Sequence, residues 1–578
     1  MAVPVYSAMK LYISADKFYI EPCGENVNEY MVIDRLSAIA EVQEKEALSY
    51  PPDCEPRMIY GILGMLELPS CMYLCVIMDK AAAGIIEGNE IHRLTSYAMV
   101  SLRTGGVFEE HQDSTCMKLV LQVLNTPFYY FSYSFDLTHT LQRSREVTGT
   151  SLYERADTRF VWNNALLDGW YRPDMYRYCV PLLHGFISIH NILVSYQNVC
   201  FVLISRRSRE RAGTRLFTRG INSNGEVANY VETEQIIACG VDRVSFVQTR
   251  GSIPLFWQQM PNLHYKPAPK LMNDVDHLTA FSKHIDDQLA RYGRQIVINL
   301  IDQRGAESAL ERAFRAMVKT HGNPNVRYEA FDFHRECRGM RYDRISALIE
   351  RVAREQDELG VFHHQVGGMG LVLSKQKGVF RTNCIDCLDR TNLFQSVLAQ
   401  RSLQQTLEKL DIVRYIDPTS VLATIFKAVW ADNADLISLQ YAGTRALKTD
   451  FTRTGKRTLV GAYKDGTNSM RRYIKNNFTD GQRQDGIDFL LGTYREKGTG
   501  TVFPVARSYN PKIIIVFCLL IIFFALTFML LIFPQEYTIQ IKLSIMICFP
   551  MALLQLYYLS KHRSAIIVWP QLERLKEQ

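Results

Sequence analysis

The sequence predicts an α/β domain with a mixed or largely parallel sheet and a Cys-x5-Arg loop. A β-rich subdomain precedes this domain, and a two-helix transmembrane hairpin follows it. Short apolar runs separated by turns fill the first third of the chain, and strands alternate with helices from residue 274 onward. Two long apolar stretches lie close to the C-terminus. The predicted units are a β-rich subdomain at 1–135, the α/β domain at 136–480, a linker at 481–512, transmembrane helices at 513–533 and 543–559, and a tail at 560–578.

In the β-rich part, residues 72–78 form an apolar run that is typical of a buried strand. Residues 84–86 and 90–92 flank Glu87-Gly88-Asn89, which indicates a strand, a turn and a second strand. Residues 113–125 have a helical pattern that ends before Pro127. The first third is therefore expected to form an antiparallel sheet with few helices.

From residue 274 the pattern changes to helices that each have one apolar face and that alternate with short apolar strands. Helices are predicted at 275–292, 307–319 and 345–359, and strands at 296–301 and 327–333. Strands that are separated by helices of this length favour a parallel sheet. In such sheets ligands bind beyond the carboxyl ends of the strands, so the functional residues are expected there.

The most informative stretch is the turn between a strand at 378–380 and a helix that includes 393–398. Cys384 and Arg390 lie on this turn with five residues between them. Unpaired backbone N–H groups and the dipole of a helix start form a site for an anion of the size of phosphate. The predicted phosphate-binding loop comprises Asn383, Ile385, Cys387, Leu388 and Thr391 together with the two residues above.

The same field stabilises a thiolate, so Cys384 is predicted to be ionised at neutral pH and to act as a nucleophile. The fork of Arg390 is suited to hold two phosphoryl oxygens while charge spreads over them. Thr391 is placed to donate a hydrogen bond to the departing thiolate. The expected reaction is hydrolysis of a phosphate monoester through a cysteinyl-phosphate, without a metal or a cofactor.

Either carboxyl group of the loop, Asp386 or Asp389, could be the acid that protonates the leaving oxygen. A carboxylate beside a dianionic phosphate has a raised pKa and can donate a proton. We favour Asp386 slightly as the acid. Bracing of the loop by either carboxylate is an equally good interpretation of both residues.

The run Arg-Thr-Asn-Cys-Ile-Asp-Cys-Leu-Asp-Arg-Thr-Asn at 381–392 resembles the signature of the Sac (suppressor of actin) family of phosphoinositide phosphatases. The resemblance implies that the chain hydrolyses mainly phosphatidylinositol 4-phosphate, with the 3-phosphate as a second substrate. The apolar C-terminal stretches make it similar to the integral-membrane member, which implies a location in the endoplasmic reticulum and Golgi. The alternative is a membrane scaffold or contact-site tether that binds phosphoinositides without turnover.

Arginines at 206, 207 and 209 belong to a dense basic run, and Lys448 and Arg453 lie in a second one. Such groups suit lipid phosphates or an anionic leaflet, although a solvated surface explains them equally well from charge alone. The resemblance favours the lipid. The net charge of +7 is modest for 578 residues, so the chain is not expected to bind nucleic acid.

Residues 513–533 are long enough to cross a bilayer, and 543–559 form a second apolar stretch that Pro550 and Gln555 interrupt. Basic residues flank the pair on the outside, whereas the loop between them holds Lys542 alone. The positive-inside rule therefore predicts both termini and the phosphatase domain in the cytosol, with substrate in the cytosolic leaflet. Thirteen scattered cysteines agree with a reducing compartment, and the absence of a second Cys/His cluster argues against zinc.

Overall fold

The computed structural model describes residues 3–24, 27–45, 55–68, 70–103, 110–338, 341, 344–367, 370–454, 458–495, 511–532, 538–562 and 566–574. The strands are β1 Met9–Ile13, β2 Lys17–Pro22, β3 Glu29–Asp34, β4 Ala40–Glu44, β5 Arg57–Ile59, β6 Ile62–Glu67, β7 Met72–Ile86, β8 Asn89–Ser101, β9 Tyr129–Phe131, β10 Leu183–Val194, β11 Gln197–Arg207, β12 Val231–Cys239, β13 Asp242–Arg250, β14 Trp257–Gln258, β15 Lys270–Leu271, β16 Arg294–Asn299, β17 Val326–Ala330, β18 Phe362–Gln365, β19 Val372–Ser374, β20 Gly378–Asn383, β21 Tyr494–Arg495 and β22 Glu573–Arg574. The helices are α1 Glu110–Leu124, α2 Leu152–Arg155, α3 Asn164–Leu167, α4 His277–Tyr292, α5 Ser308–His321, α6 Phe333–Glu336, α7 Ile345–Leu359, α8 Asp389–Lys409, α9 Val421–Ala442, α10 Thr449–Thr454, α11 Leu459–Phe478, α12 Asp480–Leu490, α13 Pro511–Ile532 and α14 Ile539–Lys561.

A long mixed sheet runs through most of the protein in the order β17-β16-β20-β13-β12-β11-β10-β9-β8-β7-β6, with β18 and β19 branching from β13. The strands β17, β16, β20 and β13 are parallel, and the neighbours from β13 to β6 are antiparallel. The predicted mixed sheet and the strand-rich N-terminal part are therefore confirmed. The boundary predicted at residue 135 falls between β9 and β10, which pair within this one sheet.

The parallel strands β16 and β20 are buried on both faces because their side chains alternate between two helical layers, whereas the edge strand β17 is only partly buried. Ile296 and Ile298 of β16 pack in one apolar cluster with residues of α7 and α8. Val297, between them in sequence, packs on the other face with residues of α4 and α5. This sandwich fixes the carboxyl ends of β17, β16 and β20 as a rigid platform.

The N-terminal region forms a second, five-stranded sheet in the order β4-β3-β2-β1-β5, and all its pairs are antiparallel. The strand predicted at 72–78 is longer than expected, because β7 continues through to the turn at Glu87-Gly88. Both turn residues have positive φ, which is the backbone of a tight two-residue hairpin. The helices predicted at 113–125 and 345–359 correspond to α1 and α7.

The linker predicted at 481–512 is wrong for residues 481–490, because residues 480–490 form α12 inside the α/β domain. Helix α12 is buried, and Ile487, Phe489 and Leu490 pack in the cluster that contains residues of α1. The sequence suggested a linker since this helix carries polar residues around its whole circumference. Those polar groups find buried partners, as Gln484 does with the backbone N–H of Thr214 at 2.8 Å.

The tail after α14 returns to this domain and docks on the start of α12. Val568 donates its backbone N–H to the carbonyl of Asn477 at 2.9 Å, and the Trp569 ring packs edge-on against Phe217 at 5.8 Å. Strand β22 then pairs with β21. The contact requires Gly481, because a Cβ there would lie 2.0 Å from the Val568 carbonyl oxygen. Residues 566–574 of the tail thus pack against the α/β domain.

Within the described residues, one helical stretch, Ile539–Leu559 of α14, is long and apolar enough to cross a membrane. The apolar stretch described in α13 is shorter, Cys518–Ile532. Helix α14 continues through Pro550, so the interruption seen in the sequence does not end it. Leu520 of α13 and Ala552 and Leu559 of α14 form one apolar cluster. Residues 533–537 lie outside the described residues, whereas Lys542, which was predicted in the loop between the two stretches, lies in α14.

The prediction that Arg206 and Arg207 bind lipid phosphates is wrong, because both side chains are buried, with exposures of 1% and 2%. Arg206 lies between Glu232 at 3.0 Å and Glu234 at 2.7 Å, and it also donates to the carbonyls of Leu137 and His139. Arg207 packs over the Trp162 ring and donates to the Gly213 carbonyl. The dense basic run is therefore partly internal.

Replacement of Arg206 by alanine is expected to destabilise the fold strongly, because Glu232 and Glu234 would remain buried with a partner removed. Loss of one partner of a buried ion pair typically costs about 3–5 kcal/mol. Thermal unfolding of the full chain in detergent measures this change. Arg209→Ala is the matched control, because Arg209 is partly exposed and donates to the carbonyl of Thr158. Equal melting temperatures for the two variants would contradict the structural role of Arg206.

Candidate active site

The Cys384 turn leaves the carboxyl end of β20 and enters α8 at Asp389. Polar contacts tie this turn to the neighbouring parallel strands. The Asn383 amide donates to the Asn299 side chain at 2.6 Å, and Asn299 donates to the Tyr328 hydroxyl at 2.7 Å. The ends of β20, β16 and β17 are therefore joined directly beneath the turn, which agrees with the predicted position of the site.

The environment of Cys384 favours its thiolate. Burial raises the pKa of this thiol, but hydrogen bonding from Cys387 and the positive charge of Arg390 outweigh burial and lower the pKa to about 6. Thr391 acts in the same direction. Cys387 behaves oppositely, because burial and the neighbouring Cys384 raise its pKa. The loop thus favours the thiolate of Cys384 and the neutral thiol of Cys387.

Arg390 lies in the first turn of α8 and is held by the loop after β16. Its Nη1 donates to the Leu300 carbonyl at 3.0 Å, and longer contacts of 3.4–3.5 Å join it to Asp302 and Glu307. The side chain is largely buried but faces the cavity that contains Cys384. The structure therefore brings Cys384 and Arg390 to one site, with acidic partners orienting the guanidinium.

The structure contradicts the preference for Asp386 as the proton donor. Arg215 holds both oxygens of this carboxylate at 2.9 and 3.0 Å, and Arg219 donates to one of them at 2.6 Å. Burial opposes the ionisation of Asp386, but the two arginines outweigh burial and hold its pKa well below its usual range. A carboxylate in this state braces the loop and has no proton to give.

Sequence reasoning missed the roles of Arg215 and Arg219, which come from the chain segment after β11. Besides Asp386, Arg219 donates to the Ile385 carbonyl at 2.9 Å and thereby fixes the loop backbone next to Cys384. Asn229 adds a hydrogen bond to the Asp386 carbonyl at 3.1 Å. The spacing of the arginines in sequence carries no signal that separates these two from their basic neighbours.

Asp389, the other candidate acid, is also engaged. One oxygen accepts the backbone N–H of Leu447 at 2.7 Å, and the other lies 3.7 Å from the Arg472 guanidinium. Asp389 therefore connects the start of α8 to the segment after α9. The bracing interpretation that the sequence left open describes both carboxyls of the loop.

The remaining residues of the predicted loop shape the turn. Cys387 has positive φ, and its thiol donates to the carbonyl of Gly251 at 2.9 Å. Leu388 is buried with Ile437 and Tyr441, and Thr391 is completely buried. Ile385 packs with residues of the α4 and α5 layer. The turn is therefore anchored by apolar contacts on both of its sides.

A cavity of about 510 Å³ opens over Cys384 and Arg390. This volume is in the range of small-molecule sites. Both cations and acids line it, and they come from chain segments that are far apart in sequence. Its charged lining residues and its histidine are Arg215, Lys266, Asp302, Glu307, His334, Asp386, Asp389, Arg390, Lys448 and Arg472. The cavity suits a phosphorylated polar headgroup.

Of the predicted lipid-binding cations outside the loop, Lys448 is exposed and lines this cavity. Arg453 pairs with Asp432 at 2.5 Å, and Arg209 donates to the carbonyl of Thr158 at 2.7 Å. Neither Arg209 nor Arg453 lines the cavity. Lys266, which the sequence analysis did not single out, lies with Lys448 among its lining residues.

Comparison with known proteins gives consistent matches. The family profile described as "SacI homology domain" matches residues 60–338. The phosphatidylinositol-3-phosphatase SAC1 of Drosophila melanogaster is 43% identical over 580 residues, which cover 98% of this chain and 97% of the relative. SAC1 of Saccharomyces cerevisiae is 37% identical over 78% of this chain and 74% of its own length. The phosphoinositide phosphatase SAC8 of Arabidopsis thaliana is 36% identical over 85% of this chain and 84% of its own length.

Alkylation of Cys384 by iodoacetamide is expected to follow its ionisation, with a midpoint near pH 6. Above this pH the thiolate reacts, and the rate falls as pH decreases through the midpoint. The modified peptide, quantified by mass spectrometry, reports the rate. Arg390→Gln should move the midpoint to higher pH, because the cation that favours the thiolate is lost. A midpoint between pH 8 and 9 in the native protein would contradict the ionisation described here.

Proposed function

The chain belongs to the Sac family of phosphoinositide phosphatases, and from this membership we propose that it removes phosphate from phosphatidylinositol monophosphates through a cysteinyl-phosphate. The resemblance favours the 4-phosphate as the main substrate, and the names of relatives point to the 3-phosphate. The observation that carries the proposal is the Cys384 thiol of lowered pKa beside Arg390 in one cavity.

In the first step the Cys384 sulfur attacks phosphorus, a sulfur–phosphorus bond forms, and the phosphorus–oxygen bond to inositol breaks. The inositol oxygen leaves with a proton from an acid. Arg390 holds two equatorial oxygens, on which charge spreads in the transition state. The fixed position of its guanidinium is supported by the contacts with Leu300 and Glu307.

In the second step water attacks the cysteinyl-phosphate, and inorganic phosphate leaves while the sulfur regains its electron pair. The same features that lower the pKa of Cys384 make it a good leaving group here, because a stabilised thiolate departs easily. Cys387 and Thr391 lie beside this sulfur, and both lower the pKa of Cys384. No step in this sequence requires a metal or a cofactor.

We place the protein in a membrane with α13 and α14 as a hairpin, both ends in the cytosol, and substrate in the cytosolic leaflet. The apolar length of Ile539–Leu559 supports the embedding, and the packing of α13 against α14 supports the hairpin. The resemblance supports the endoplasmic reticulum and Golgi as the location. Lys266 and Lys448, at the cavity, are suited to the phosphates of an anionic leaflet.

The docked tail favours action on the membrane in which the chain is anchored. Five residue steps separate Lys561, at the end of α14, from Ile566 of the tail, and they span ~17 Å at most. The dock lies beside the cavity, since Asn477 follows the lining residue Asn476 and Phe217 lies two positions from Arg215. While the tail is docked, the cavity therefore stays close to its own bilayer.

Phosphate release from vesicles that contain phosphatidylinositol 4-phosphate should fall by about a thousandfold or more in Cys384→Ser, because the nucleophile is removed. Vesicles with the 3-phosphate, measured in parallel, rank the two substrates. Cys23→Ser is the matched control, because Cys23 is an exposed cysteine outside the cavity. Binding of native protein to these vesicles without turnover would contradict the enzymatic function and favour the alternative, a scaffold that binds phosphoinositides.

Hydrolysis should be about tenfold faster or more when enzyme and substrate share one vesicle than when they are on separate vesicles, because the tether sets a high local concentration. Reconstituted protein is assayed in both arrangements at equal total substrate. Insertion of about thirty Gly and Ser residues after His562 should raise the rate on separate vesicles, since this tether then no longer limits reach. Equal rates for native protein in the two arrangements would contradict action on its own membrane.

A further inference from the structure

Neither carboxyl group of the Cys384 loop is suited to protonate the inositol oxygen, because cations or backbone N–H groups engage Asp386 and Asp389. Glu307, a third carboxyl of the cavity, accepts the backbone N–H of Asp302 at 2.9 Å and contacts Arg390. Each of these carboxyl groups is therefore already engaged as an acceptor by donors of the protein. The proton must come from a different side chain of the cavity.

His334 lies in the same cavity on the turn that follows β17. Two buried phenylalanines, Phe331 and Phe333, anchor this turn, and the Asp332 side chain caps the short helix α6 that contains the histidine. The imidazole itself remains about half exposed, at 53%. An anchored turn thus places the histidine side chain in the cavity, where it is accessible to solvent.

Asp302 orients this histidine. The Nδ1 atom of His334 lies 2.7 and 2.9 Å from the two Asp302 oxygens, which leaves Nε2 as the atom for other chemistry. Asp302 also approaches the Arg390 guanidinium at 3.5 Å. Although burial opposes its ionisation, the hydrogen bond from His334 and the charge of Arg390 lower the pKa of Asp302. Asp302 is consequently a carboxylate that holds the imidazole through Nδ1 and orients the ring.

The topology explains why these groups meet. The strands β17, β16 and β20 are consecutive and parallel, and their carboxyl ends lead to His334, Asp302 and Cys384 respectively. Three neighbouring strand ends therefore place a histidine, a carboxylate and a nucleophile in a row along one edge of the sheet. In this arrangement Arg390 and the phosphate it holds lie next to the Asp302–His334 pair.

We infer that His334 is the general acid of the first step and Asp302 its positioning residue, an assignment that rests on the proposed phosphatase function. The Nε2–H of the imidazolium passes its proton to the inositol oxygen as the phosphorus–oxygen bond breaks. The neutral imidazole then takes a proton from the attacking water as the sulfur–phosphorus bond breaks. The proton balance closes over one turnover, with Asp302 ionised throughout.

The test compares leaving groups. His334→Gln should slow turnover of a short-chain phosphatidylinositol 4-phosphate by about a hundredfold, because its alkoxide leaves poorly without an acid. The initial burst of p-nitrophenol from p-nitrophenyl phosphate reports the first step alone, and it should change by less than about threefold, since nitrophenolate leaves without protonation. His264→Gln is the matched control, because His264 is exposed and does not line the cavity; neither rate should change in it.

Asp302→Asn supplies a second readout. If Asp302 acts through the histidine, the double variant His334→Gln/Asp302→Asn should show the same ratio of lipid rate to burst rate as His334→Gln alone. A further change of this ratio in the double variant would give Asp302 an independent role and overturn its assignment.

Equal slowing of both substrates by His334→Gln would overturn the acid role and leave a structural one. No slowing of either substrate would place the acid elsewhere. In both cases the Cys384→Ser variant tests the proposed phosphatase function separately, since this variant abolishes turnover of both substrates only if the cysteine mechanism holds. Failure of the histidine assignment is therefore distinguishable from failure of the proposed function.

Discussion

The clamp of Arg215 and Arg219 on Asp386 is the constraint on which the rest of the site depends. In the proposed mechanism the Cys384 loop must hold a sulfur anion and a bound phosphate, yet the loop also contains a partly buried carboxylate, Asp386, whose charge raises the pKa of Cys384. Two guanidinium groups at 2.6–3.0 Å compensate this charge and fix the loop backbone through Ile385. Because Arg215 and Arg219 compensate the charge of this carboxylate, the charge of Arg390 is available to the proposed thiolate and the substrate.

The clamp also links the loop to distant parts of the chain. Phe217 lies between the two arginines in sequence and packs against Trp569 of the tail, and Tyr441 of α9 accepts from Arg219 at 3.3 Å. The segment that grips Asp386 is therefore held between the tail and α9. Because these contacts converge on one short segment, the order of the catalytic loop and the docking of the tail belong to the same packing unit.

Much of this could be predicted from local sequence. The strand–turn–helix around Cys384, the pairing of Cys384 with Arg390 and the alternating elements after residue 274 follow from patterns of a few neighbouring residues. The burial of Arg206 and the partners of Asp386 could not be predicted, because they depend on residues 26 to 171 positions away in sequence. Charge alone does not distinguish a solvated arginine from one that a buried glutamate compensates. The linker was misjudged at α12 for the same reason, since its polar residues have buried partners that no local pattern reveals.

The mixed sheet explains why one fold supplies both a nucleophile and its supporting groups. In the antiparallel part, neighbouring strand ends point in opposite directions, and long strands such as β10 and β11 extend the sheet and bury Arg206. In the parallel part, β17, β16 and β20 end at the same edge, and each loop there begins where the last strand hydrogen bonds stop. Polar side chains at this edge escape the two helical layers that cover the strands. The change from antiparallel to parallel pairing at β13 and β20 therefore creates the edge at which Cys384, Asp302 and His334 meet.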